Sequence, residues 1–336
     1  MTERAPFDEA AILRAAGVLM RGGLVAFPTE TVYGLGARAD DGAAVRRIFE
    51  AKGRPPTNPL IVHVASIESA RAVAAEWPEA AEQLARAFWP GPLTLIVRRK
   101  AGVVVDEVTC GGDTVAVRVP AHRAAMRLLE RVVFPVAAPS ANRSTRLSPT
   151  TAEHVLKSLD GRIDLVLDAG PTGDAAERSG LHGIESTIVD VTRSPAVVLR
   201  YGALPMDALA QVIATVPRST HSIDDEPARA PGAQALHYAP QAPLVIVPAS
   251  ELHAEVAARR AEGLRVGVVD RAPGVGSAPP SETLAADPVG YAAELYAAMH
   301  RLDDAGCDVI VAADVPDEAA WAGVRDRLER AAGLGG

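Results

Sequence analysis

The sequence predicts an α/β protein of two units, a larger mixed sheet flanked by helices and a smaller α/β unit behind a linker. Three observations predict it. Over residues 1–216, strand-like and helix-like segments alternate, and some strands lie at the short spacing of hairpins, which a purely parallel sheet does not allow. Residues 217–240 are rich in Ser, Thr, Asp, Glu and Pro and show little apolar periodicity. Residues 241–336 return to strand-like runs at 244–247, 265–269 and 308–311, separated by helical patterns.

The elements follow in order. Residues 10–21 carry apolar side chains at helical spacing and stop at Gly22-Gly23. Residues 24–27 form an apolar run that reads as a buried strand. It ends at Pro28 and opens into hydroxyls, a carboxylate and two glycines, Gly34 and Gly36. Asp41 caps a helix whose apolar face includes Val45, Ile48 and Phe49; Gly53 stops it, and Lys52 and Arg54 flank that stop. A strand at 60–64 and a mostly helical stretch at 70–88 come next, broken by Pro90-Gly91-Pro92. Residues 93–98 and 114–119 read as strands, 123–131 as helix, 132–138 as strand and 151–159 as helix. Strands at 165–168 and 186–191 follow, and Leu199-Arg200 end another just before Gly202.

Composition narrows the function classes. The chain has 336 residues, 48% hydrophobic, with a formal net charge of -8, which argues against broad nonspecific nucleic-acid binding. Cys110 and Cys307 are far apart and lack metal-ligand spacing, as expected in a reducing cytosol. The N-terminal residues show no signal-peptide pattern and no apolar run approaches membrane-spanning length, so a cytoplasmic protein without membrane attachment is expected. Lysine occurs only at 52, 100 and 157, which makes Lys52 beside Gly53 and Arg54 stand out. Two cations at that spacing suit an anionic ligand, most simply phosphate, with incomplete burial expected in such a turn. A helix C-terminal cation facing the macrodipole is the plainer reading of Lys52.

Period-2 geometry adds a second constraint. In the 114–119 run, Thr114, Ala116 and Arg118 share one face and the valines the other; in the 60–64 run, His63 lies opposite Leu60, Val62 and Val64. These faces are either solvated or line a cleft. Ser140 and Asn142 follow a buried strand and precede a turn ending at Ser148-Pro149-Thr150, which suits either anion binding or turn formation. No phosphate-loop, zinc or serine-hydrolase signature is present. Gly34-Leu35-Gly36-Ala37-Arg38-Ala39 does fit the dinucleotide pattern, so an NAD-binding oxidoreductase stays open beside a noncatalytic RNA-binding module.

Taken together, the segments resemble the L-threonylcarbamoyladenylate synthase family in its long, two-domain form with a YrdC-like catalytic domain. The resemblance runs through Pro28-Thr29-Glu30-Thr31-Val32-Tyr33-Gly34-Leu35-Gly36, Lys52-Gly53-Arg54 and Asn58-Pro59-Leu60-Ile61-Val62-His63. It continues through Asp113-Thr114-Val115-Ala116-Val117-Arg118, Ala138-Pro139-Ser140-Ala141-Asn142, Ser148-Pro149-Thr150-Thr151 and Glu185-Ser186-Thr187-Ile188-Val189-Asp190. The chain departs from the usual pattern at 110–113, in the longer charged stretch 170–183, at Tyr201, and in lacking Met after Gly232.

The resemblance implies a YrdC-like twisted mixed sheet over 1–216, a linker or lid over 217–240 and a smaller, Rossmann-like α/β domain over 241–336. It implies that L-threonine, bicarbonate and ATP, with Mg²⁺, give threonylcarbamoyl-AMP and pyrophosphate. A downstream transferase would then modify tRNA, making contact of this chain with tRNA indirect. Lys52 and Arg54 take the catalytic positions in this resemblance. Thr31, His63, Arg118 and Ser186 fall in the threonine pocket. Arg54, Asn58, Thr114, Ser140, Asn142, Ser148 and Arg200 fall on ATP. His237 and Tyr238, an aromatic pair in the linker, are expected to close over the site, and docking onto the second domain is their plainer role.

Overall fold

The structure is a computed structural model that describes residues 1–172, 183–217, 237–271 and 280–334. Eleven strands form the larger sheet. They are β1 (Glu3–Pro6), β2 (Val25–Pro28), β3 (Tyr33–Arg38), β4 (Ile61–His63), β5 (Leu93–Arg98) and β6 (Thr114–Arg118). The remainder are β7 (Val136–Ala137), β8 (Leu165–Asp168), β9 (Thr187–Asp190), β10 (Ala196–Arg200) and β11 (Thr215–Pro217). Their order is β1-β8-β2-β3-β7-β4-β6-β5-β9-β10-β11. Pairing is mixed, as the hairpin spacing predicts: β2 and β3 are antiparallel, β4 and β6 parallel, β5 and β6 antiparallel.

Local chemistry explains the elements that frame the site. In the helix Gly42–Lys52, Asp41 accepts hydrogen bonds from the Ala43 and Ala44 amides, and Gly53 ends the helix at φ 61°. Gly36 lies inside β3 because a Cβ there would meet Phe27 at 2.7 Å and Val136 at 3.0 Å. The Gly34 to Arg38 run is thus strand, with no tight turn from the glycines into a helix, and the dinucleotide reading has no structural support.

Three expectations are corrected. The 70–88 stretch is two helices, Ile67–Val73 and Glu79–Phe88, because Pro78 starts the second. The expected 132–138 strand shrinks to Val136–Ala137, with Val133 fully exposed in the turn before it. Residues 3–6, to which the sequence assigns no element ahead of the 10–21 helix, form an edge strand paired with β8.

The second sheet holds β12 (Leu244–Val247), β13 (Val266–Asp270), β14 (Ser281–Thr283) and β15 (Val309–Ala313). All its pairings are parallel, in the order β12-β15-β13-β14. Its inner face packs on the helix Pro288–Asp304. The same apolar cluster takes in Val32, Leu147 and Ile184 from the first unit, so the two units share buried surface. Gly202 and Gly323 meet there, and a Cβ on Gly323 would lie 2.4 Å from the Gly202 carbonyl.

Candidate active site

The β4–β6 ladder sets the floor. His63 and Arg118 are register partners on adjacent strands, so their side chains stand beside each other. Both are buried, which removes the solvated-face alternative. Beneath them Ile61, Ile96, Ala116 and Ile188 form a small apolar layer, while Val62, Val115 and Val117 face the main core.

The β2–β3 connection supplies one wall. Thr29 Oγ1 donates to the Val32 carbonyl at 2.7 Å and shares a hydrogen bond with Thr31 Oγ1 at 2.8 Å. Arg118 donates to Glu30 at 2.5 Å, to Thr31 Oγ1 at 3.1 Å and to the Gly91 carbonyl at 3.2 Å. Burial pushes the Glu30 carboxyl up, but the charge and hydrogen bond of Arg118 outweigh it and hold the group below its ordinary value. Burial, followed by the Arg118 charge, lowers His63 to about 3, so its ring is neutral; Nδ1 has no hydrogen-bond partner.

The opposite wall is built on carbonyl contacts. Lys52 Nζ donates to the Ser140 and Asn142 carbonyls at 2.5 Å each and to Asn142 Oδ1 at 3.2 Å. Ser140 Oγ donates to the same Oδ1 at 2.5 Å. Arg54 donates to the carbonyls of Asn58 at 3.2 Å and Pro59 at 3.0 Å. Lys52 is 2% and Arg54 7% exposed, so the expected incomplete burial of this turn is overturned. The reason is geometric: the helix end lies under the 140–146 loop, whose carbonyls replace water around the ammonium. Burial lowers Lys52 strongly and Arg54 to about 10.

The third side comes from β9 and β10. Arg200 Nη2 donates to the Ser186 carbonyl at 2.9 Å and to Ser186 Oγ at 3.1 Å, and Ser186 shares a hydrogen bond with Thr94 at 2.8 Å. Glu185 is buried next to them. Burial raises its carboxyl, yet Arg327, Arg200 and the Ser148 hydrogen bond bring it down to about 2.

These walls border a cavity of about 50 Å³. Thr31, Arg54, His63, Arg118, Ser140, Ser186 and Arg200 line it, as do His237 and Tyr238. Five expected residues do not. Lys52 and Asn142 hold the Ser140 loop from behind, and the Asn58 carbonyl holds Arg54. Ser148 Oγ donates to Glu185 at 2.5 Å, and Thr114 lies four residues from Arg118 on its strand, away from the cavity. His237 and Tyr238 lie at both expected places: they line the cavity and pack against the second unit, with Tyr238 5.9 Å from the Tyr296 ring. Residues 218–236 of the expected linker or lid lie outside the described residues.

Two carboxylates had no assigned role in the sequence. An Arg on the inner face of a buried strand requires a counter-charge, and that signal points to Glu30. Arg327 carried a signal too, since it falls on the apolar stripe Val324, Leu328 and Ala331 of its helix.

A family model described as "Telomere recombination" matches residues 17–202, and one described as "Threonylcarbamoyl-AMP synthase, C-terminal domain" matches 204–333. The chain belongs to the threonylcarbamoyl-AMP synthase family. It is 43% identical to the threonylcarbamoyl-AMP synthase of Pyrococcus abyssi, over 98% of this chain and 96% of that one. It is 39% identical to that of Bacillus subtilis, over 99% and 96%. The fold superposes on a crystal structure of P. abyssi Sua5 complexed with L-threonine with a TM-score of 0.87 and 41% identity, covering 99% of this chain and 97% of that one. Both units of this synthase-family chain are therefore matched, in the same order.

Proposed function

We propose that the chain is an L-threonylcarbamoyladenylate synthase. The observation that carries this reading is the convergence of Arg54, Arg118 and Arg200 with Ser140, Ser186 and a neutral His63 on one buried cavity, in a chain that matches the family through both units. The amine of L-threonine joins bicarbonate with loss of water to give a carbamate. A carbamate oxygen attacks the α-phosphorus of ATP, and the bond to pyrophosphate breaks. Threonylcarbamoyl-AMP results, for a downstream transferase that modifies tRNA.

Each wall has a part in this scheme. Thr31, His63, Arg118 and Ser186 form the threonine end; the threonine complex of the P. abyssi relative supports that substrate. His63 Nδ1, buried and unpartnered, suits a hydrogen bond to a neutral polar group of threonine. Arg54 and Arg200 meet the charge that grows on the phosphoryl oxygens and the departing pyrophosphate, fixed in place before reaction. Lys52 and Asn142 act by holding the Ser140 loop, while Asn58 fixes Arg54. No side-chain nucleophile is required, because orientation of the reactants supplies much of the rate.

Mg²⁺ fits as the counter-ion of the ATP phosphates. Glu30 and Glu185 are both engaged by arginines, so an ion would be held mainly by substrate oxygens and water, where it neutralises phosphate charge. The cavity falls well below the ~300–1,000 Å³ of ordinary small-molecule sites, and an outward swing of His237 and Tyr238, which line it, would make room for ATP. The decisive experiment is pyrophosphate release from ATP. It should require threonine and bicarbonate together, and release independent of either one would overturn the reading.

A further inference from the structure

Glu185 faces the cavity, yet two of its three side-chain donors come from the second unit. Ser148 Oγ donates to Oε1 at 2.5 Å. Tyr296 OH and Arg327 Nε reach Oε2 from the far side of the interface at 2.9 and 2.7 Å. Arg327 is 0% exposed, and its guanidinium carbon lies 4.8 Å from the centroid of the Tyr238 ring. One guanidinium thus bonds a cavity carboxylate through Nε and lies over the Tyr238 ring of the closing segment. Its Nη1 pairs with Asp326, while Nη2 and the Tyr238 hydroxyl are buried without a partner. Main-chain bonds fix the segment between the units: the His237 amide donates to the Arg330 carbonyl at 3.1 Å, and the Ala239 amide to the Thr145 carbonyl at 2.8 Å.

We propose that Arg327 is a positioning residue for the synthase reaction, making closure of the His237-Tyr238 segment and placement of Glu185 a single coupled event directed from the second unit. A planar cation can present edge and face together, which a lysine cannot. When the segment opens, Tyr238 leaves the guanidinium, and Arg327 keeps its pairing with Glu185 and Asp326. When it closes, the ring clamps the guanidinium and the carboxylate is held in the cavity wall. This coupling rests on the synthase reading for its catalytic consequence.

The test compares Arg327→Met, Tyr238→Leu and the double variant. Its first readout is intact threonylcarbamoyl-AMP recovered per pyrophosphate released. Each single variant should lower that ratio about tenfold, and the double no further than the worse single, the mark of one shared interaction. Arg327→Lys should behave as Arg327→Met. Its second readout is hydrogen exchange at the Ala239 amide in ligand-free protein, which needs no turnover and should quicken in Arg327→Met. Glu185→Gln/Arg327→Met removes both buried charges and should regain melting temperature without regaining the ratio. Wild-type recovery and exchange in Arg327→Met, multiplicative losses in the double variant, or joint recovery of stability and ratio on neutralising Glu185 would each overturn the coupling. If the wild type releases no threonine-dependent pyrophosphate while Ala239 exchange still responds, the synthase reading fails and the coupling stands.

Discussion

Glu30 and Glu185 are both buried acids paired with an arginine at the same cavity, yet they are held in opposite ways. Glu30 takes its donors, Arg118 and the Ala121 amide, from the first unit alone. Glu185 takes Tyr296 and Arg327 from the second. The first pair is a fixed wall, set by one strand and one hairpin connection. The second exists only while the two units are docked, and Tyr238 lies on it. The difference teaches that a site inside one domain can still depend on another domain through a single carboxylate.

The largest expected effect tests the fixed wall. Arg118→Leu leaves Glu30 buried without its counter-charge, which costs about 3–5 kcal/mol of stability in such pairs. Loss of melting temperature should therefore dominate over any selective loss of threonine affinity. Glu30→Gln/Arg118→Leu should recover most of the stability and still bind threonine weakly by calorimetry. Equal melting temperatures for Arg118→Leu and wild type would mean the pair does not hold this wall.

Next come the two cations beside Gly53. Arg54→Ala should lower turnover by about 10²–10³, the loss seen when a fixed donor to developing charge is removed. Lys52→Ala should also lose stability, because the Ser140 and Asn142 carbonyls then have no donor. Kinetics and melting curves read the two apart. Arg54→Ala with normal turnover would remove the phosphate role from this wall.

Acid separates the two regions more gently. Burial is the main cause that lowers His63 to about 3 and His300 to about 4, so both stay neutral in the folded chain. Below the ordinary histidine value of 6.5 the unfolded chain takes up protons that the folded chain refuses, so stability falls as pH drops from 6.5 toward 4. Glu185 adds its loss later, from its ordinary 4.5 down through about 2. His300 bonds the Ser148 carbonyl at 3.1 Å across the units and stacks on His154 at 3.7 Å, so it reports on the interface. His300→Gln should flatten the fall in melting temperature between pH 6.5 and 5. An unchanged slope would place the acid-sensitive groups elsewhere.

Much of this site was legible in the sequence because its signals are local. Strict alternation in β6 put Arg118 on the face opposite the valines, and Asp41 and Gly53 bracketed the helix that delivers Lys52. What was not legible depends on partners far along the chain. Residues 3–6 become a strand only by pairing with β8, more than 150 residues away. Lys52 is buried by carbonyls about 90 positions on, and no local pattern marks a carbonyl as its partner. Glu185 stands just before the expected 186–191 strand, and its second role needs Arg327, 142 residues later.

The smallest expected effect belongs to the closing segment itself. The segment is held partly through the backbone amides of His237 and Ala239, so His237→Ala/Tyr238→Ala should leave it in place and remove only the rings. The rings fill space: they account for part of the wall of a cavity of about 50 Å³, and His237 packs edge-on against Tyr238 at 3.9 Å. Their removal should leave threonine and ATP affinity within a few-fold of wild type, since the arginines and serines that would hold those ligands lie on other walls. The change should appear in the fate of the product. Threonylcarbamoyl-AMP carries a mixed anhydride open to water, and a wall without rings admits water. Incubation with substrates should therefore show faster hydrolysis or release of the intermediate at near-normal pyrophosphate output. Proteolysis within 218–236 should slow when both substrates are present in the wild type and change less in the double variant. Equal cleavage with and without substrates, together with normal retention of product, would reduce these two rings to a dock for the second unit and leave Glu30 and Glu185 alike as fixed walls.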